Sequence, residues 1–263
     1  MVHLDVSDVA REMDVKMLTV SYKIKGLALN ELWFASKLSL NKISLLGFYC
    51  YRDTLVKKNP LKTLKREIKY TLVNDLSLEK DTIFSAFKSN VRNEIRKCEK
   101  IKTFTYDSSY QNKELFLEFY SRFAKAKNLA PIEERAINKY GQNLFYLSGS
   151  LNNSLTNMQV YLIDEESKIV RLLHSISTLY EEDEKHRRAE IGWINRYLHW
   201  QTILHFKALN FTVFDWGGYT NDPNSGLAGI DKFKASFGGK KVELYNYYTL
   251  PYYFIKRLQE KLL

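Results

Sequence analysis

The chain has 263 residues, of which 45% are hydrophobic, 14% aromatic and 27% charged. This balance is typical of a globular protein with a sizeable core, and it excludes disordered, low-complexity and collagen-like chains. Two cysteines are too few for a disulfide framework, and the longest uncharged apolar stretch, residues 43–51, is too short to span a membrane. We therefore expect a cytoplasmic protein with no membrane span, made of one large domain or two small ones.

The net charge of +10 is unevenly distributed along the chain. Residues 52–102 hold 14 Lys and Arg against 7 Asp and Glu, whereas acidic residues cluster at 164–166 and 181–184. A basic surface of this kind indicates an anionic partner, which could be a nucleotide diphosphate, a coenzyme phosphate, nucleic acid or a membrane surface. A solvated basic face with no partner explains the same charges equally well.

The first hundred residues predict strands followed by helices. Runs rich in β-branched and aromatic residues predict strands at 15–25, 32–39 and 43–51. Pro60 favours a helix over residues 61–69, and the sequence of residues 70–76 predicts a buried strand. From 77 to about 100, apolar residues recur at spacings of three and four, which predicts one long helix with a basic opposite face.

The rest of the chain alternates more regularly. We predict strands at 102–106, 144–147, 158–163, 168–180, 211–216 and 240–248, and helices at 113–127, 131–140, 190–209, 226–237 and 251–263. This order predicts an α/β fold with a mixed central sheet flanked by helices. We divide it into an abbreviated unit, 1–100, and a core, 101–263.

The segment HRRAEIGWIN, residues 186–195, follows a predicted strand and is interpreted as a loop that opens a helix. The first amides of a helix are free donors at the positive end of its dipole. A pyrophosphate could bind there, with Arg187 or Arg188 adding charge-assisted bonds and Gly192 allowing close approach. A surface loop with solvated arginines is the alternative.

Asp215 follows the short apolar strand FTVF and precedes Trp216, Gly217 and Gly218. Open α/β sheets bind ligands beyond the carboxyl ends of their strands, so Asp215 could be a general base or an orienting group. Alternatively, its carboxylate stabilises the turn by accepting from the glycine amides.

Lys232 and Lys234 lie on a predicted short helix that ends at a glycine pair, 238–239. They could contact an anionic substrate or a developing oxyanion, or they could be solvated.

Three histidines are candidate chemical groups. His174 lies mid-strand, where Leu172 and Ile176 would share its face, and it is either a packed or a catalytic histidine. His199 and His205 are six residues apart on a helix and cannot share a metal, so we expect no metal site.

The motifs DWGG, residues 215–218, and FKASFGG, residues 233–239, resemble the C-terminal half of the FemABX-like branch of the GNAT acyltransferase superfamily. The preceding segment IGWINRYLHWQTILHFKALNF and the RNEIRK sequence at 92–97 resemble it too. The resemblance covers about residues 185–248 and implies a GNAT fold.

The resemblance also implies roles for particular residues. The pantetheine arm of acetyl-CoA would lie between the strands 168–180 and 211–216, with the amides near Ser175, Ile176 and Ser177 on the thioester carbonyl. The residues implied to bind the pyrophosphate are Arg187, Arg188, Gly192 and Asn195. Those implied to accept the amine's proton are Asp215, His174 and Glu190, and those implied to protonate the leaving thiolate are Tyr219 and Tyr245. The residues implied to bind the acceptor are Trp216, Gly217, Gly218, Lys232 and Lys234.

Three functional hypotheses follow. The first is an acetyl-CoA-dependent N-acyltransferase that acts on an amino sugar, carried on a nucleotide diphosphate, in bacterial surface-polysaccharide synthesis. The second is a Fem-type transferase that uses aminoacyl-tRNA, whose basic surface would follow RNA phosphates. The third is a non-catalytic binding module of the same fold.

Overall fold

The computed structural model describes residues 17–38, 44–59, 61–220 and 222–262. Parts of the predicted elements, namely residues 15, 16, 39, 43, 60 and 263, lie outside the described residues. The chain forms two compact units, one made of the residues up to Tyr70 together with those from Glu243 onward, and one made of Thr71–Val242. The division at residue 100 stays a prediction.

In its described residues, the first unit is a small sheet with one helix. It contains β1 (Leu18–Ile24), β2 (Leu27–Trp33), β3 (Phe48–Thr54), the first part of β4 (Lys65–Asp75), the last part of β10 (Lys240–Tyr248) and α7 (Leu250–Leu262). β1 and β2 form an antiparallel hairpin whose turn contains Gly26 at φ +82°. β2 then pairs with β3 in parallel, and β10 pairs with β3 antiparallel.

The second unit is a larger mixed sheet covered by helices. Its remaining strands are β5 (Phe104–Ser109), β6 (Leu144–Leu151), β7 (Ser154–Asp164), β8 (Ile169–Ser177) and β9 (Val213–Gly218). Its helices are α1 (Lys80–Ser85), α2 (Ser89–Cys98), α3 (Lys113–Lys127), α4 (Glu134–Asn138), α5 (Lys185–Ala208) and α6 (Ala228–Ala235). The strand order is β4-β9-β8-β7-β6-β5, in which only β8 and β9 are parallel.

Helices pack on both faces of this sheet. On one face α5 buries Ile194 and Leu198 in the main apolar core. A Cβ on Gly149 of β6 would lie 2.9–3.0 Å from these two side chains, so glycine allows α5 to approach the sheet closely. On the other face Phe116 of α3 packs against Tyr146 and His174.

Most predicted elements are present, but several predictions were wrong. The strand predicted at 32–39 is instead β2, which spans Leu27–Trp33. Residues 65–69 belong to β4 and not to a helix, because three spaced apolar residues are too few to establish a helical period, and Ile68 is exposed. The predicted helix 77–100 is two helices, α1 and α2. They are separated where the amide of Lys88 donates to the carbonyl of Ser236 (2.8 Å) instead of continuing the first helix. The helices that the structure describes each lack the length or apolar character needed to cross a bilayer.

Candidate active site

The parallel strands β8 and β9 pair only at their beginnings. The register contains three pairs and ends at Arg171 opposite Asp215, while β8 continues to Ser177 and β9 to Gly218. The rest of β8 pairs with β7 on its other edge, and Gly218 pairs with β4. The hydrogen-bonded ladder between β8 and β9 therefore ends at Arg171. We call the region beyond it, at the carboxyl ends of two parallel strands, the opening, because ligands bind at such positions in α/β sheets.

Gly217 forms the turn at this opening. Its φ is +70°, and a Cβ there would lie 2.6 Å from the carbonyl oxygen of Leu172, so only glycine fits without strain. Its amide donates to Asp215 Oδ1 (2.8 Å). A local hydrogen bond between Gly217 and Asp215 thus fixes the end of β9, as the turn-stabilising interpretation of Asp215 predicts.

Asp215 is buried and engaged by several partners. The hydroxyl of Thr71 also hydrogen-bonds to Oδ1, and Arg171 Nη1 lies 2.5 Å from Oδ2. These contacts account for both carboxylate oxygens. They describe a group that holds the opening in shape, and the role of general base stays a prediction.

Lys234 of α6 reaches the same opening. Its Nζ donates to the carbonyl oxygen of Gly218 (2.6 Å) and would lie 4.0 Å from a Cβ on Gly217. Burial, followed by the positive charge of Arg171, lowers the pKa of Lys234 to about 8. Lys232, two residues earlier on α6, is exposed. Of the two lysines, it is therefore Lys234 whose ammonium is fixed beside Gly217 and Gly218.

His199, which sequence reasoning dismissed together with a metal site, lies behind the opening. It is fully buried on α5, and its ring packs against Trp216 (4.9 Å between centroids) and Phe233 (5.7 Å). Burial, then the charges of Lys234 and Arg196, lowers the pKa of His199 to about 3, so the imidazole is neutral at physiological pH.

The imidazole belongs to a hydrogen-bonded network that joins β7, β8 and α5. Nδ1 lies 2.8 Å from the hydroxyl of Tyr161, and Nε2 lies 3.4 Å from the hydroxyl of Ser175. Ser175 also contacts Asn195, and Tyr161 contacts Gln159. No sequence motif indicates this network. It forms because the register of β7 with β8 places Gln159, Tyr161 and Ser175 on the sheet face that packs against α5.

His174 lies on the opposite face of the sheet. Its ring packs against Phe116 (5.2 Å) and Tyr120 (5.7 Å) of α3, and burial lowers its pKa to about 4. The predicted face shared with Leu172 is wrong, because a β-bulge opposite Val160 and Tyr161 shifts the alternation of β8. Leu172 therefore packs in the core with α5, whereas His174 faces α3.

The segment predicted as a phosphate loop is helical. α5 begins at Lys185, so Arg187 and Arg188 lie in its first turn and Gly192 lies within the helix. Asn195, further along α5, accepts hydrogen bonds from Gln159 and Ser175. The predicted loop was therefore wrong for residues 186–189, and the helix predicted from 190 begins earlier, at Lys185.

A carboxylate lies just before the start of α5. Glu182 Oε1 accepts from the amide of Glu184 (3.1 Å), and Glu182 forms an ion pair with Arg187 (2.9 Å). Arg188 donates to the carbonyl oxygen of Glu182 (2.9 Å). Both arginines proposed for a pyrophosphate are thus engaged by the acidic segment before the helix.

The remaining predicted site residues are dispersed. Ile176 and Ser177 pair with Met158 and Asn157 of β7, and Glu190 lies on α5 with Oε2 3.7 Å from His186 Nδ1. Trp216 is fully buried and donates from Nε1 to Asn74 Oδ1 (2.5 Å). Tyr219 packs partly buried against the main core. Tyr245 belongs to the first unit, where its hydroxyl bonds to Glu243.

No set of three or more His, Cys, Asp or Glu side chains arranged to hold a metal ion occurs among the residues that the structure describes.

Comparison with known proteins identifies the fold. No protein-family model and no curated protein matches the chain. Among solved structures, FemX aligns with a TM-score of 0.62 at 10% identity, over 92% of this chain and 86% of FemX. L-PGS from Bacillus licheniformis aligns with a TM-score of 0.55 at 11% identity, over 91% and 84%. A conserved protein of Bacteroides thetaiotaomicron, described as of unknown function, aligns with a TM-score of 0.55 at 10% identity, over 89% and 83%. The FemABX-like α/β fold predicted from the sequence is thereby confirmed.

Proposed function

We propose that the chain transfers an aminoacyl group from an ester donor, aminoacyl-tRNA, to a primary amine at the opening between β8 and β9. The observation that carries the proposal is the ammonium of Lys234, fixed at 2.6 Å from the Gly218 carbonyl where two parallel strands separate. The neutral imidazole of His199 and the ring of Trp216 lie behind it, so the site combines a fixed positive charge with apolar surroundings.

Lys234 supplies the electrostatic part of the reaction. An ammonium has three N–H donors, and one is used by Gly218, which leaves two for the oxygen of a reacting carbonyl. A preorganised cation in a site partly shielded from water stabilises the negative charge that this oxygen gains. We assign Lys234 to that oxyanion.

The group transfer needs no covalent enzyme intermediate. The lone pair of the amine attacks the ester carbonyl carbon, a C–N bond forms, and the C–O bond to the ribose of the tRNA breaks. The proton lost by the nitrogen ends on the departing oxygen, so that amide and free hydroxyl are the products. The protein's contribution is orientation and charge stabilisation.

The start of α5 favours an RNA-linked donor over acyl-CoA. In the acetyl-CoA hypothesis a pyrophosphate binds there, but Glu182 lies beside this helix start and belongs to a run of four acidic residues, 181–184. Two like charges at one helix start repel each other. Acetyl-CoA with a nucleotide-linked amino sugar therefore becomes the alternative outcome.

The face of α2 offers a surface for RNA phosphates. Residues 88–102 contain six Lys and Arg against two acidic residues, and Arg96, Lys97 and Lys100 are exposed. Arg196 of α5 lies between this helix and the site, 3.1 Å from Glu94 of α2 and 5.2 Å from the ring of Phe233. A phosphate backbone along α2 would thus approach the helix that carries Lys234.

Binding of a charged tRNA pool at increasing salt tests the donor. We expect a dissociation constant that weakens steeply with salt, and a further weakening of roughly tenfold in the double variant Arg96→Glu, Lys100→Glu. The matched control is Lys125→Glu, which reverses an exposed charge on α3.

Transfer itself is followed by loss of a labelled aminoacyl group from tRNA when a primary amine is present. Binding that is absent or independent of salt, together with thermal stabilisation by acetyl-CoA, would reject aminoacyl-tRNA and favour the acetyl-CoA alternative.

A further inference from the structure

The network behind the opening determines where each of its hydrogens lies. Gln159 Nε2 is 3.1 Å from the backbone oxygen of Asn195 and 3.0 Å from its side-chain Oδ1. A carbonyl oxygen only accepts, so the Gln159 amide nitrogen must face Asn195 and its Oε1 must face Tyr161. The side-chain oxygen of Asn195 is identified in the same way, since it accepts from Gln159.

The orientation of Gln159 fixes the hydroxyl of Tyr161. Gln159 Oε1 can only accept, so the Tyr161 hydroxyl donates to it across 2.7 Å. The hydroxyl has no second hydrogen, and its 2.8 Å contact with His199 Nδ1 must therefore be donated by the imidazole. His199 then carries its hydrogen on Nδ1, and Nε2 is left with a lone pair.

Ser175 consequently faces two acceptors. Its Oγ lies 3.1 Å from Asn195 Oδ1 and 3.4 Å from His199 Nε2, and neither atom has a hydrogen to give. The serine hydrogen is used by these acceptors, while the lone pairs of Oγ accept from no donor among the described contacts. Ser175 is exposed and lies on β8 beyond the last pair with β9, at the opening.

We propose that the Ser175 hydroxyl accepts a hydrogen bond from an N–H of the attacking primary amine and so orients the nitrogen lone pair toward the donor carbonyl. The inference rests on the proposed function and names one acceptor-binding residue for it. Asn195 and His199 are positioning residues, which hold the serine hydrogen away from the amine. The charge states of His199 and Lys234 support the assignment. A neutral His199 leaves Nε2 as a hydrogen-bond acceptor, and the ammonium of Lys234 is the group assigned to the carbonyl oxygen of the donor.

Amine transfer by Ser175 variants tests the proposal. With a charged tRNA pool as donor and glycinamide as acceptor, Ser175→Ala should lower kcat/KM for glycinamide about tenfold, the loss expected for one hydrogen bond to the reacting group. The dissociation constant for charged tRNA should change by less than about twofold, since the donor is held elsewhere. Ser175→Thr keeps the hydroxyl and should restore transfer to within about threefold of the wild type.

The outcomes separate the two proposals. Wild-type transfer with an equally active Ser175→Ala variant overturns the role of Ser175 and leaves the transferase proposal intact. A wild type that transfers nothing to glycinamide from any charged tRNA rejects the transferase proposal, and the role of Ser175 with it.

The tautomer of His199 gives a readout that does not depend on activity. In protein labelled with ¹⁵N-histidine, the His199 signals, identified by their absence in His199→Gln, should show the hydrogen on Nδ1. In Tyr161→Phe, which removes the acceptor for that hydrogen, the Nε2–H form should become populated. A wild-type His199 protonated on Nε2 would donate to Ser175, and this result would overturn the inference.

Discussion

Arg171 Nη1 and Asp215 Oδ2 lie 2.5 Å apart at the last paired position of β8 and β9, so a buried ion pair marks the point where the two strands separate. The side chains are only 12% and 5% exposed. Since the opening begins beside this pair, its first role is to fix the geometry from which β8 and β9 diverge.

Removing one charge of this pair should destabilise the fold. Asp215→Asn removes the carboxylate charge that lies beside the Arg171 guanidinium, and we expect the free energy of unfolding in urea to fall by about 3 kcal/mol. In the double variant Asp215→Asn, Arg171→Met, much of this loss should be recovered, because no isolated charge remains buried. Equal stabilities of the wild type and Asp215→Asn would contradict the structural role.

Two adjacent glycines offer a sharp comparison at the strand end. Gly217→Ala places a Cβ 2.6 Å from the Leu172 carbonyl oxygen on a residue with φ +70°, and we expect a loss of about 2 kcal/mol in unfolding free energy. A Cβ on Gly218 would meet nothing within 4 Å, so Gly218→Ala should change stability by less than about 0.5 kcal/mol. If urea unfolding gave the same midpoint for both variants, the close approach of Gly217 to β8 would be wrong.

Periodicity and residue type predicted the bounds of two elements well. The bounds of α3 (Lys113–Lys127) and β10 (Lys240–Tyr248) match the predicted ones. Periodicity failed at the start of α5, because residues 185–190 are largely polar and carry no apolar stripe. These residues nevertheless continue the helix, with His186 Nδ1 and Glu190 Oε2 3.7 Å apart one turn along it.

The site was only partly predictable for a different reason. The Asp215–Gly217 turn is local in sequence, and its hydrogen bond agrees with the turn-stabilising interpretation. The network of His199 depends on the register of β7 with β8 and on the bulge that turns His174 to the other face. Neither register nor bulge has a signal in a single sequence, so the sequence indicates nothing for His199 beyond its spacing from His205, which excludes a shared metal.

His174 should make the protein sensitive to acid. Burial lowers its pKa from 6.5 to about 4, so between these values the unfolded chain binds a proton that the folded protein does not. Stability is therefore intact above pH 6.5 and falls as the pH drops toward 4. His174→Phe keeps an aromatic ring against Phe116 and Tyr120, and it should reduce the loss of unfolding free energy between pH 7 and 4 by about 2 kcal/mol.

The control for His174 is a histidine in water. His186 is exposed on α5, and His186→Gln is the matched substitution against which the acid dependence of His174→Phe is compared. A His174→Phe variant with the same acid dependence as the wild type would mean that the His174 ring is accessible to protons in the folded state.

Lys234 should be the side chain on which transfer depends most. Lys234→Met removes the cation assigned to the oxyanion, and we expect kcat/KM for aminoacyl transfer to fall by roughly a hundredfold. The matched control is Lys240→Met, which removes an exposed lysine at the start of β10. Comparable transfer by the wild type and Lys234→Met would show that the oxyanion is stabilised by another group.

The pH profile distinguishes a catalytic cation from a structural one. Burial and Arg171 lower the pKa of Lys234 to about 8, so its charge is present below pH 8 and is lost as the pH rises through that value. Transfer should therefore decline above about pH 8, although the amine acceptor itself becomes more nucleophilic there. Arginine stays protonated throughout this range, so in Lys234→Arg the decline should disappear even where the rate at pH 7 is lower. A decline near pH 8 that persists in Lys234→Arg would assign that titration to a different group.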